Sequence, residues 1–150
     1  MSSRTAAVPV RLILDTQHVS VLDHPDTQAA IRLAARLEAA GTPVAVTIST
    51  VEESMKGWLA FCANAKSPEQ YVEATRKLHK ALKFFAVIEI LDFDDRAASE
   101  FKKLKAAKVR VGTMDLRIAA IVLANNATLL SANLSDFRKV PGLSVEDWSA

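Results

Sequence analysis

Four carboxylates in this chain have a spacing that a parallel α/β sheet would gather. Asp15 directly follows the apolar run VRLIL, and Glu53 lies in TVEESMKG. Asp115 lies in GTMDLRIAA, and Asp136 in SANLSDF. Carboxylates brought close together cannot all stay ionised without help. A divalent cation supplies that help. An all-oxygen donor set suits Mg²⁺ or Mn²⁺, which keep several waters and bind few carboxylates. The chain has no His/Cys cluster of ligand spacing, which argues against zinc. Asp115 is the most pointed of the four. From Thr113 to Ala124 its only charged companion is Arg117. A helix so apolar is buried, and a buried carboxylate needs a partner.

Each acid alone has a plainer reading. Asp15 suits an Asx turn or an N-cap leading into a short helix. Glu53 and Asp115 suit first-turn acids that complement a helix dipole, with Thr113 capping the second helix. Asp136 suits a turn in which Asn133 or Ser135 satisfies free amides. Glu52 rivals Glu53, and the helical wheel does not choose between them: Glu52 lies at the rim of the apolar face. Glu53 shares a face with Gly57 and Ala60, small residues that would let another element approach closely.

The elements that must position these acids alternate between strand and helix. Strands are expected at 10–14, 43–48, 87–93 and 128–130, with a short fifth at 143–145. Helices are expected at 25–40, 50–63, 68–85, 94–107 and 113–125. The helix over 50–63 should bury Val51, Met55, Trp58, Leu59 and Cys62. Gly41 should close the helix before it, and Ser67-Pro68-Glu69-Gln70 forms a capping box. This alternation predicts an α/β/α three-layer fold with a mostly parallel sheet of four to five strands. Ligands of such sheets bind beyond the carboxyl ends of the strands. All four acids fall on that edge.

The bulk properties fit one domain over 1–150, with residues 1–9 as an N-terminal extension. Half the residues are hydrophobic, and the net charge is only +2. Nucleic-acid affinity would therefore need local patches. A lone cysteine, Cys62, excludes an internal disulfide and fits a small buried hydrophobe. The start lacks a secretory h-region, and no apolar run would span a bilayer, so a cytoplasmic, membrane-free protein is expected.

The stretches LILDTQHVS, TVEESMKGWL, VGTMDLRIAA and ATLLSANLSDFRKVPGLSVEDW resemble the PIN-domain family, most closely VapC-type toxins of toxin–antitoxin modules. The resemblance implies a Mg²⁺- or Mn²⁺-dependent endoribonuclease. Metal and catalytic acids would be Asp15, Glu53, Asp115 and Asp136, supported by Thr16, Thr113 and Asn133. It prefers Glu53 to Glu52, because Gly57 follows at the family's four-residue spacing. It implies an activated water attacking a phosphodiester in line, leaving a 5′-phosphate and a 3′-hydroxyl. It also implies a homodimer silenced by a cognate antitoxin. Gln17 departs from the family's usual asparagine.

Two basic tracts are candidates for RNA phosphates. Arg76, Lys77, Lys80 and Lys83 line one helix, with His79 beside them. Lys102, Lys103, Lys105, Lys108 and Arg110 lead into Gly112. Lys105, Lys108, Arg110 and Arg117 are the RNA-contact candidates nearest the acids, although a solvated face and a structural ion pair are the plainer readings. His18 and His24 lack a triad arrangement and are expected to be structural or at the surface. Two other functions remain open on sequence: a catalytically silent PIN-like module binding RNA or protein, and an aspartate-based phosphotransfer domain. The second wants D-x-D where Asp15-Thr16-Gln17 stands.

Overall fold

A computed structural model of the chain describes residues 11–149. The expected extension over 1–9 lies outside the described residues. Five strands form one sheet: β1 (Leu12–Leu14), β2 (Val44–Thr47), β3 (Glu89–Leu91), β4 (Thr128–Leu130) and β5 (Ser144–Glu146). Their order is β3-β2-β1-β4-β5, and each neighbouring pair is parallel. The helices are α1 (Thr16–Leu22), α2 (Gln28–Ala40), α3 (Ile48–Ala63), α4 (Pro68–Val87), α5 (Asp95–Ala106), α6 (Thr113–Ala124) and α7 (Leu134–Phe137).

Successive strand side chains point to opposite faces. Ile13, Ala45 and Leu129 join Ala97, Leu104 and the apolar residues of α6 in one core cluster. Leu12, Leu14, Val46 and Leu130 join Val19, Ala81 and Phe85 in a second. The sheet is thus covered on both faces, which is why β1 is continuously apolar and β4 is apolar after Thr128. From β1 the chain first builds outward through β2 and β3, then returns to the other side of β1 for β4 and β5. This reversal of strand order opens a crevice beyond β1 and β4.

Several boundaries differ from expectation for local reasons. Helix α3 begins at Ile48, directly after β2, because Thr47 ends the strand and caps the helix, accepting from the Thr50 amide at 3.0 Å. Helix α2 starts after Thr27, whose hydroxyl accepts from Ala30 N, and Gly41 closes it with φ 61°. Gly112, not Thr113, is the N-cap of α6. At α4, Ser67 accepts from Gln70 N as expected, whereas the Gln70 side chain accepts from Lys66 N and not from Ser67. Leu59 is 58% exposed rather than inward. The packed stripe of α3 is Val51, Met55 and Trp58, and Leu59 falls outside it. Cys62 is half-buried.

Candidate active site

Each of the four acids stands just beyond the sheet's carboxyl edge or in a helix that begins there. Asp15 directly follows β1 and occupies the N-cap position of α1, but its side chain makes no capping bond. Its carboxylate turns to the next strand instead, where Ser131 donates to Oδ2 at 2.7 Å. Burial raises the Asp15 pKa, and the neighbouring Glu53 adds to the rise, while bonds from Ser131 and the Thr16 amide oppose it.

Glu53 is the sixth residue of α3, beyond the first turn, so dipole compensation does not explain its position. Thr16 Oγ1 donates to Glu53 Oε1 at 2.7 Å and links α1 to α3. Glu52 points elsewhere and pairs with Lys56 at 3.6 Å. Among the described residues, no atom beyond its own helix turn lies within 4 Å of where a Cβ on Gly57 would stand, so the expected close approach of another described element is not seen there.

Asp115 sits in the first turn of α6, where the helix dipole would favour its charge. Its pKa is nevertheless raised to about 6, first by burial and then by Asp15, Glu53 and Asp136. No cation appears among these causes. Asp15, Glu53 and Asp136 thus all stand close enough to Asp115 to act on its charge.

Asn133 ties two of them together. Its Nδ2 donates to Asp136 Oδ2 at 3.2 Å and to Asp115 Oδ2 at 3.4 Å. The side chain does not cap α7. Asp136 lies at the rim, where bonds from Asn133 and Lys139 hold its pKa below the usual carboxylate range. Lys139 Nζ reaches Asp136 Oδ1 at 3.2 Å.

Among the described residues, no three His, Cys, Asp or Glu side chains converge into a ready-made metal cage. A hard divalent ion does not require one, since Mg²⁺ keeps most of its waters and takes one or two carboxylates. The donors are all oxygen, and the half-buried Asp115 carboxylate faces Asp15, Glu53 and Asp136, with the Asn133 amide at 3.4 Å as a neutral donor. This donor set fits Mg²⁺ or Mn²⁺.

The remaining expected residues divide. Thr16 and Asn133 bond to acids of the site, whereas Thr113 is exposed and has no side-chain bond among those described. Gln17 is exposed. Lys105, Lys108 and Arg110 are exposed at the end of α5 and in the connection to α6, which carries Asp115; Arg117 is exposed on α6. Lys108 has φ 57°, a conformation that favours glycine. On the other tract, Arg76 and Lys77 both pair with Glu73, and Lys80 donates to the Asp23 carbonyl.

Ser131 is the residue that the sequence reading passed over. It is fully buried and holds Asp15. A signal for it existed: it follows β4 as Asp15 follows β1.

The sequence of the chain is 32% identical over 69 residues to Ribonuclease VapC2 of Rickettsia felis, a match covering 43% of this chain and 52% of the relative. It is 30% identical over 84 residues to the tRNA(fMet)-specific endonuclease VapC of Salmonella typhimurium, covering 53% and 64%. The chain thus spans between half and two thirds of the length of these relatives. Its fold is similar to that in a structure of VapBC-1 from nontypeable Haemophilus influenzae, with a TM-score of 0.72 and 20% identity, covering 94% of this chain and 100% of that one. The PIN domain family model matches residues 12–143, so the chain belongs to the PIN domain family.

Proposed function

We propose that this chain is a metal-dependent endoribonuclease, the VapC-type toxin of a toxin–antitoxin module. The observation that carries the reading is geometric: Asp15, Glu53, Asp115 and Asp136 gather at one edge of the sheet, tied in place by Ser131, Thr16 and Asn133. One or two of Asp15, Glu53 and Asp115 would hold Mg²⁺ or Mn²⁺ directly and the rest through its waters, with Asp136 at the rim. When bound, the ion supplies an acidified water and charge neutralisation at the phosphodiester.

The chain's own residues do the positioning. Ser131 fixes Asp15, Thr16 fixes Glu53, and Asn133 spans Asp115 and Asp136. Such supporting bonds set ligand orientation and hence affinity for the ion. Lys105, Lys108, Arg110 and Arg117 supply positive charge near the N-terminal end of α6, where RNA phosphates would approach. We infer a cognate antitoxin and a homodimer from the resemblance to VapC proteins, and a cytoplasmic site of action. No helix among the described residues is long and apolar enough to cross a membrane.

The test is incubation of the purified protein with cellular RNA and Mg²⁺ or Mn²⁺, followed by mapping of the cut ends. The expected result is 5′-phosphate and 3′-hydroxyl ends, abolished by chelation and by Asp115→Asn. Binding of RNA without metal-dependent cleavage would leave a silent PIN-like module instead.

A further inference from the structure

A groove of 350 Å³ lies between α1, α3 and α4, beside the carboxylates. Thr16 and Glu53, already joined by a hydrogen bond, form part of its wall. Its middle is aromatic: Trp58 and Phe61 pack edge to face at 6.1 Å, and Phe84 lines it from α4. Phe61 is 44% exposed. A smaller hollow of 110 Å³ shares Trp58 with the groove and adds Lys77 and Lys80. The two hollows share Ser20, Asp23, Trp58 and Ala81, so one track joins Glu53, the aromatic rings and the two lysines, with Asp23 beside the lysines.

Gly57 also lines this groove. A glycine inside a helix is less stable than alanine, and here a Cβ would meet nothing within 4 Å. Packing within the chain gives no reason for the glycine. Space for a ligand does.

We propose that the groove is a nucleotide subsite for single-stranded RNA. The base beside the scissile phosphodiester stacks against Trp58 and Phe61 above Gly57, and the neighbouring phosphate reaches Lys77. This rests on the ribonuclease reading and adds the path of the strand. The lining favours a nucleotide: its flat apolar base suits the aromatic wall, one phosphate suits Lys77 and Lys80, and the next would lie by Glu53, where a divalent ion would be held. Base stacking on aromatic rings tolerates any sequence but requires an unstacked base. Lys77 is now paired with Glu73 at 3.6 Å, an exposed pair that a phosphate displaces at little cost.

The experiment measures fluorescence anisotropy of a labelled 12-nucleotide RNA, with Ca²⁺ in place of Mg²⁺, alongside thermal melting. Gly57→Ala should melt at the wild-type temperature or about 2–3 °C higher, yet bind RNA more weakly. Gly57→Leu should bind more weakly still. Phe61→Ala should weaken binding at least about fivefold. Lys77→Gln should lower the slope of log affinity against log salt by about 1. A duplex of the same sequence should bind less well than the single strand.

Wild-type affinity in both Gly57→Leu and Phe61→Ala, or equal affinity for duplex and single strand, overturns the proposal. So does loss of binding to an antitoxin protein with RNA affinity intact, which would make the groove a protein-docking surface. If the expected pattern holds but the wild type cleaves nothing with Mg²⁺ or Mn²⁺, the ribonuclease reading falls and the groove stands as a binding site for single-stranded RNA. If the wild type cleaves and the groove variants match its KM, the subsite falls alone.

Discussion

Ser131 donates its hydroxyl to Asp15 Oδ2 at 2.7 Å, across 116 positions of sequence. The pairing of Leu14 with Leu130 in the parallel sheet sets the two residues side by side. The Asp15 amide reinforces it by donating to the Leu130 carbonyl at 2.9 Å. Ser131 Oγ also accepts from the Asn133 amide at 3.0 Å. One buried hydroxyl thus aligns the acid of β1 with the turn that carries Asn133 and Asp136.

Ser131→Ala should therefore disturb both stability and site. It leaves the Asn133 amide without its acceptor and Asp15 without its donor, a loss of about 1–3 kcal/mol. RNA cleavage should fall about 10–100-fold, the usual effect of removing a residue that orients a metal ligand. Chemical denaturation and cleavage rates check the two parts separately. A destabilised variant with wild-type cleavage at saturating Mg²⁺ would leave Ser131 a structural role alone.

Adjacent glutamates should behave differently. Glu53 accepts from Thr16 and lies in the field of Asp15 and Asp115, whereas Glu52 pairs with Lys56 on the exposed side of α3. Glu53→Gln should lower cleavage by more than about 100-fold, exceeding the effect of losing a supporting residue. Glu52→Gln should stay within about twofold, because exposed i,i+4 pairs contribute little. Parallel rate measurements under one metal concentration decide between the two.

Much of this arrangement was legible from local pattern. The apolar run before Asp15 marks β1, and the strand expected at 128–130 is β4. The apolar stretch after Gly112 located α6 with Asp115. What local pattern could not carry was strand register. Ser131 gains its partner only when β4 lies against β1, and nothing within SANLSDF encodes that neighbour. Glu53 likewise differs from Glu52 only through Thr16, which arrives from another helix. The wheel of α3 alone was silent on this. The start of α3 was misplaced because Thr47 serves two elements at once, as last strand residue and as cap.

The raised pKa of Asp115 gives a pH signature. Its folded value is about 6 against 3.8 for the ordinary group, so the folded protein holds this proton more tightly than the unfolded chain. The associated stability is present below pH 3.8 and is lost as pH rises through about 6. In chelator, Asp115→Asn should therefore be more stable than the wild type at pH 8, with the advantage gone near pH 4. Mg²⁺ or Mn²⁺ should raise the melting temperature of the wild type at pH 8 more than that of the variant, since the ion binds the folded state through this carboxylate. Melting curves across pH, with and without metal, test both parts. Equal pH dependence in the two proteins would remove Asp115 as the source.

His18 should oppose that trend locally. It is fully buried on α1, and its Nε2 accepts from the Trp148 backbone amide at 3.0 Å. That bond assigns the ring proton to Nδ1, a buried atom with no partner among the described residues. Burial lowers the His18 pKa, while Asp147 and Asp15 pull it upward; Asp147 Oδ1 lies 3.6 Å from Nε2. The folded pKa is thus below the ordinary 6.5, so the stability it contributes is present above pH 6.5 and lost as pH falls. Protonation places a hydrogen on Nε2 and removes the acceptor that holds residues 147–149. Arg36, 4.1 Å over the Trp148 ring, and Glu146, accepting from Trp148 Nε1 at 2.9 Å, remain as the other ties. Global melting would blur this, because protonation of Asp115 stabilises the fold over much of the same range. A local probe separates them. In a Trp58→Phe background, Trp148 emission should shift to longer wavelength as pH falls below 6.5. His18→Gln, whose amide does not titrate, should abolish the shift. Its persistence in that variant would remove His18 as the source of the transition.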